Sequence, residues 1–241
     1  MNTPQVSRRV VLTTTAATAV ALPAAQLLPG SANAAGRRAA PQPDQRSPRA
    51  PTGRPSRNGW EMESAVDHGG SIYTRPVPGT PLDGVAVRIG EVETVLVHVI
   101  RRFHYEIDML GKGDVVGWRS PDAVKKSFAE SNQASGTAVQ IRPGHYPAGA
   151  SGGFSHLQDV VIRDILAELD GLVRWGGDDR RPNEALFYLN GKPGDARLAK
   201  VADRIRTWMY TPGAGAGSGV DVMSASRRKA AKKLERAQKP R

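Results

Sequence analysis

Residues 131–140 read SNQASGTAVQ, and the run from Thr137 to Ile141 that closes this stretch alternates, with β-branched residues at three positions. That pattern predicts a strand entered through a polar, glycine-containing turn. Upstream, Val85 to Ile89 also alternate and predict a strand. Val92, Val95, Leu96, Val99, Phe103 and Ile107 fall at helical spacing, which predicts a helix from Val92 to Leu110 ended by Gly111 and Gly113. Val115 to Arg119 reads as a short strand. Downstream, residues 142–153 hold two prolines and four glycines and read as a long loop. Leu157, Val160, Val161, Ile165, Leu166 and Leu169 mark a second helix closed by Gly171. Leu172 to Trp175 and Ala185 to Leu189 read as strands. Ala196 to Met209 reads as a last helix with Leu198, Val201, Ile205 and Met209 on one face. The sum is an α+β pattern: a small, mostly antiparallel sheet packed with helices.

The remaining segments have a different composition. Residues 35–58 are rich in Pro, Arg, Gly and Ser and are expected to be a disordered basic linker, so the globular part should begin near Trp60 and span 59–211. Residues 212–241 read as a glycine-rich hinge and a basic tail. The stretch TPGAGAGSGV at 211–220 is flexible in composition. Ser226 to Arg241 favours helix, but Leu234 is its only large apolar residue, so a frayed, unpacked helix is expected.

The net charge of +11 is unevenly spread. Residues 1–34 carry +2, residues 35–58 carry +5 and residues 221–241 carry +6, leaving −2 for residues 59–220. The folded part is therefore not basic, and no specific nucleic-acid binding is expected. Diffuse attraction of the tails to a polyanion is the alternative to a purely solubilising role. There are no cysteines, so disulfides and thiolate metal sites are excluded.

The N-terminus has three parts: Ser7-Arg8-Arg9, a Thr-diluted apolar run to about Leu28, and the small-x-small triplet Ala32-Asn33-Ala34. This is the layout of an export signal, and the paired arginines resemble the twin-arginine type, although Val11 stands where Phe is usual. Residues 1–34 are expected to be removed after Ala34. The run is too polar for a confident membrane span, so the mature chain is expected to have none and to be extracytoplasmic.

The stretch Ser131 to Gln140 follows the pattern S-x-H-x-x-G-x-A-x-D at its Ser, Gly and Ala positions, and so resembles the first metal motif of the D-Ala-D-Ala carboxypeptidase-like zinc peptidases. Gly117-Trp118-Arg119 resembles that family's upstream G-Y/W-R. Arg174-Trp175-Gly176-Gly177-Asp178 resembles the strand and turn after its middle helix, and Asn183 to Phe187 falls where the family has D-x-x-H-F. The resemblance covers about Asn58 to Tyr210 and implies that family's fold. It also implies the fate of its site. Gln133 stands at the first His position, Gln140 at the Asp position, Leu186 at the second His position and Asn183 at the acidic base.

Zinc binds imidazole, thiolate or carboxylate, and leucine offers no donor atom. Zinc is expected in active relatives and not here, and without metal or base no route to an activated water remains. The resemblance implies that Arg119 and Ser131 contact a ligand carboxylate and peptide, with Gln133, Gln140, Asn183 and Leu186 completing the cleft. Arg119 could instead pair with Asp178 or Asp179. His145, a few residues beyond Gln140, could approach the cleft. Glu184 should point away from Asn183's side of the strand, and Ser131 or Ser135 reads as a hydrogen-bonded turn rather than a nucleophile. The expected function is an exported, monomeric, non-catalytic relative that binds peptidoglycan stem peptides. The alternatives are a peptidase with a rebuilt site, or a structural wall module held to anionic polymers by its basic tails.

Overall fold

The helices over Glu91–Glu106, His156–Glu168 and Ala196–Met209 form where apolar residues recur every three or four positions, and Ser155 and Asp195 cap the starts of the last two. A computed structural model describes residues 50–238, all within one compact unit. The expected export signal and residues 35–49 of the expected linker lie outside the described residues. The described chain runs β1 (Pro51–Pro55), β2 (Glu61–Glu63), β3 (Ile72–Arg75), β4 (Val85–Arg88), α1 (Glu91–Glu106), β5 (Val115–Val116), α2 (Ser131–Ala134), β6 (Ala138–Ile141), α3 (His156–Glu168), β7 (Val173–Trp175), β8 (Leu186–Leu189), α4 (Ala196–Met209) and α5 (Ala225–Gln238). All strand pairs are antiparallel: β1 with β2, β3 with β4, and a four-stranded sheet in the order β5-β6-β8-β7. This is an α+β fold with small antiparallel sheets. No helix among the described residues is long and apolar enough to cross a membrane.

The four-stranded sheet sorts its side chains by parity. Val139, Ile141, Phe187, Leu189, Val173 and Trp175 belong to the main core, which they share with α1 and α3. Ala138, Leu186 and Tyr188 join Ala129 in a small separate cluster on the other face. Cross-strand partners share a face, so the register aligns Ala138, Tyr188 and Arg174 in one row and Val116, Gln140 and Leu186 in the next. One face of the sheet is thus core, and the other carries the candidate site.

α3 begins with a capping box: Ser155 Oγ accepts from Gln158 N–H, and Gln158 Oε1 accepts from Ser155 N–H at 2.9 Å. Such a cap is worth about 1 kcal/mol. Each fully buried Ile or Leu on this helix, Ile162, Ile165 and Leu166 among them, contributes about 1.5–3 kcal/mol. The helix stops where Gly171 donates its N–H back to the Leu166 carbonyl at 3.1 Å.

Several expectations are corrected. The fold begins before Trp60. Pro51–Pro55, placed in the linker by composition, pairs with β2, because Thr52 Oγ1 and the chain around Ser56 find partners in the fold. α1 ends at Glu106 rather than Leu110, because His104 Nδ1 accepts the Leu110 N–H and turns the chain off the helix axis. The strand expected over Val115 to Arg119 lasts two residues. Trp118 N–H bonds instead to the Ala86 carbonyl on β4, so the chain leaves one sheet for another. Met209 is exposed, unlike Leu198, Val201 and Ile205.

The basic tail is the largest correction. α5 packs along α3 through polar anchors. Arg227 pairs with Asp164 at 2.6 Å, Leu234 reaches the core edge, and the buried Gln238 donates its side-chain amide to the Gly171 and Val173 carbonyls. Asp164 is also held by Arg102 of α1 at 3.0 Å, and Arg102 pairs further with Glu106 and Glu168. One buried guanidinium and one buried carboxylate therefore join three helices.

Candidate functional site

The outer face of the four-stranded sheet is the floor of a cleft of about 770 Å³. Its walls are the segment Arg57–Gly59, the approach to α2 at Ser127–Glu130, the loop Asp179–Asn183 and the end of α5. Residues 131–140 hold the first two walls together. Ser131 Oγ accepts the Arg57 N–H at 3.0 Å and donates to the Phe128 carbonyl at 2.8 Å. Asn132 Oδ1 accepts the Asn58 N–H at 3.1 Å, and Asn58 Nδ2 donates to Thr137 Oγ1 and the Leu189 carbonyl. Gly136 adopts φ +68°, and a Cβ there would lie 2.6 Å from the Arg88 amide, so only glycine turns the chain from α2 into β6 at this depth.

The loop wall is positioned by Gly176. Its carbonyl accepts the Asn183 N–H at 2.9 Å, and a side chain at Gly176 would meet the Asn183 carbonyl at 2.5 Å. Asn183 is buried and lines the cleft; its Nδ2 donates to Glu130 Oε1 at 3.2 Å, and its Oδ1 has no partner. Asn132 also lines the cleft, and its Nδ2 is likewise buried and without a partner. Tyr188 donates its hydroxyl to Asp179 at 2.8 Å. Burial pushes the Asp179 carboxyl above its ordinary value, against the Tyr188 hydrogen bond and the fields of Arg57 and Arg174. Burial and then the Asp179 charge raise the Tyr188 phenol. Arg174, in the same row as Tyr188, donates to the Gln238 carbonyl at 2.7 Å and ties the end of α5 to the rim.

The structure brings some of the expected residues together and separates others. Gln140 and Leu186 are direct partners across β6 and β8. Gln133 is buried, and its Nε2 donates to the Val116 and Gly117 carbonyls at 3.1 and 2.8 Å, beside Gln140's partner on β5. Of the six residues expected in the cleft, Asn183 and Leu186 line it. Gln133 and Gln140 are not part of its lining; Gln133 Nε2 is spent on the Val116 and Gly117 carbonyls, while its Oε1 has no partner. Ser131 is fully buried, and its hydroxyl is spent on its own turn and on Arg57. Arg119 is half-buried, away from the cleft lining. It pairs with neither Asp178, which Arg163 holds, nor Asp179, which Tyr188 holds.

The donor set does not fit zinc. Two carboxamides and an alkyl group occupy the three positions that the resemblance assigns to the metal, and the one amide oriented by its surroundings, Gln133, points its nitrogen at backbone carbonyls. Among the described residues no group of three His, Asp or Glu side chains is arranged to hold a metal ion. His98 is buried against Glu168, and His104 Nδ1 accepts the Leu110 N–H. His145 is exposed in its loop and does not line the cleft. Glu184 points to the core side and fixes residues 152 and 153, accepting their N–H groups at 2.7 and 2.9 Å. Ser135 sits in a hydroxyl cluster with Ser56 and Thr137.

The cleft residues that sequence reading missed are Arg57, Asn132, Glu130, Asp179, Arg180, Arg181 and Lys192. Three of these, Arg180, Arg181 and Asp179, directly follow the quoted Arg174–Asp178 stretch, and that charge run was the available signal. Compared with family models, curated proteins and solved structures, the chain matches none.

Proposed function

We propose that this chain is an exported, non-catalytic relative of the D-Ala-D-Ala carboxypeptidase-like peptidases that binds cell-wall peptides in the cleft over β6 and β8. The observation that carries the reading is that two residues lining one cleft, Asn132 and Asn183, each keep a buried amide atom without a partner, Nδ2 and Oδ1 respectively. Buried polar atoms without partners are uncommon, and each costs about 1–3 kcal/mol until a partner arrives. A peptide unit supplies both partners, a carbonyl for the Asn132 donor and an N–H for the Asn183 acceptor.

The adjacency of Gln140 and Leu186, with Gln133 fastened beside them, supports the relationship to the peptidases. The amide chemistry of those positions supports binding without hydrolysis. Asn183 stands at the base position and cannot take a proton from water near neutral pH. The export part of the proposal rests on residues 1–34 and on the small-x-small triplet ending at Ala34.

Calorimetric titration with a stem peptide ending in D-Ala-D-Ala tests this. Binding is expected, with affinity falling about tenfold in Asn183→Ala, the loss of roughly 1.4 kcal/mol that one hydrogen bond can supply. Absence of heat at millimolar peptide would remove the proposal.

A further inference from the structure

The cleft has more positive charge than one terminal carboxylate needs. Arg57, Arg180, Arg181 and Lys192 are exposed at its rim, and none is ion-paired to a carboxylate among the described residues. Arg181 instead lies over the Phe128 ring at 5.1 Å, which keeps its guanidinium at the mouth. The two acids in the lining, Glu130 and Asp179, accept from Asn183 Nδ2 and the Tyr188 hydroxyl, and two carboxylates do not balance the lining's cations Arg57, Arg174, Arg180, Arg181 and Lys192. This cationic rim contrasts with the −2 balance of residues 59–220 as a whole, so it is a local arrangement and not a reflection of composition.

We infer that the ligand is an acidic peptide, one that carries at least two carboxylates besides a backbone unit held by Asn132 and Asn183. The inference rests on the binding role proposed above for this cleft and adds the ligand's charge. Guanidinium and carboxylate form paired, charge-assisted hydrogen bonds, so Arg180 and Arg181 suit carboxylates on successive side chains. A phosphate polymer would also satisfy the cations. It has no N–H to offer Asn183 Oδ1, and its oxygens would face the Glu130 carboxylate next to that atom. The walls therefore select for a ligand that has donors as well as negative charge.

The experiment uses the full chain and three probes in fluorescence anisotropy: a labelled hexapeptide with three Glu and a free C-terminus, the same peptide with Gln for each Glu, and unlabelled tripolyphosphate as competitor. The acidic peptide is expected to bind at least tenfold more tightly than the Gln peptide at 50 mM salt. The gap should shrink at 500 mM salt, as screening requires. The double variant Arg180→Glu/Arg181→Glu should close the gap while keeping the melting temperature of the parent. Equal binding of the two peptides would overturn the acidic preference and leave the cleft as a peptide site. No binding of either would overturn both. Displacement by tripolyphosphate at concentrations below those of the acidic peptide would also overturn the inference, because it would make the rim a simple anion site.

Discussion

Gln140 and Leu186 face each other across β6 and β8, and Gln133 is fastened to the carbonyls of Val116 and Gly117 on Gln140's other flank. Three side chains separated by up to 53 positions in sequence thus occupy neighbouring places on three elements. None of the three is a good ligand for a dication.

Their placement can be tested by restoring donors. The triple variant Gln133→His/Gln140→Asp/Leu186→His is expected to retain about one zinc per chain after equilibrium dialysis, while the parent retains none at these positions. Metal analysis reads the result directly. A folded triple variant without zinc would show that the three positions do not converge as the peptidase motif requires.

The attachment of α5 depends on charge more than on apolar area. Arg227→Ala removes one of the two guanidiniums on Asp164, whose side chain is only 3% exposed. The cost is expected to be about 1–3 kcal/mol, since Arg102 remains to compensate part of the buried charge. Urea unfolding should show a lower midpoint with an unchanged slope. Because Gln238 at the end of α5 binds Arg174 at the cleft rim, the same variant should also weaken peptide binding.

Acid should destabilise the fold in a defined window. Burial alone would raise the Glu168 carboxyl, but the His98 hydrogen bond and the fields of Arg102, His98 and Arg227 outweigh it and hold the group down at about 2, from an ordinary 4.5. A carboxylate depressed on folding contributes stability that is fully present above its unfolded value and is lost as pH falls through the folded one. Stability should therefore decline between about pH 4.5 and pH 2, by about 3 kcal/mol from this group. Thermal melts across that range check it, and Glu168→Gln should flatten the slope there.

The sequence made the apolar-faced elements legible and left the polar attachments hidden. α4 is read from Ala196 to Met209 because Leu198, Val201 and Ile205 repeat at helical spacing. α5 has almost no such repeat. It docks through Arg227 and Gln238, whose partners Asp164, Gly171 and Val173 lie about 60 residues away, and no local pattern announces them. β1 was obscured in the same way by a composition of Pro, Gly and Arg. Within the site, the polar glycine turn at Gly136 and the two strands that carry Gln140 and Leu186 were legible from local pattern, while the pairing of those strands was not. The role expected of Ser131 does not hold, because its hydroxyl is used by the Phe128 carbonyl and the Arg57 amide before any ligand arrives. The rim cations were invisible as a group because Arg57, Arg181 and Lys192 meet only through three separate loops.

Holding a peptide without cutting it is the behaviour that separates this account from an enzymatic one. Mass spectrometry of an acidic stem peptide incubated with the full chain and excess zinc, run alongside native detection of the complex, measures both at once. A one-to-one complex and peptide of unchanged mass are expected after prolonged incubation. Release of a terminal residue that depends on the protein would contradict this account.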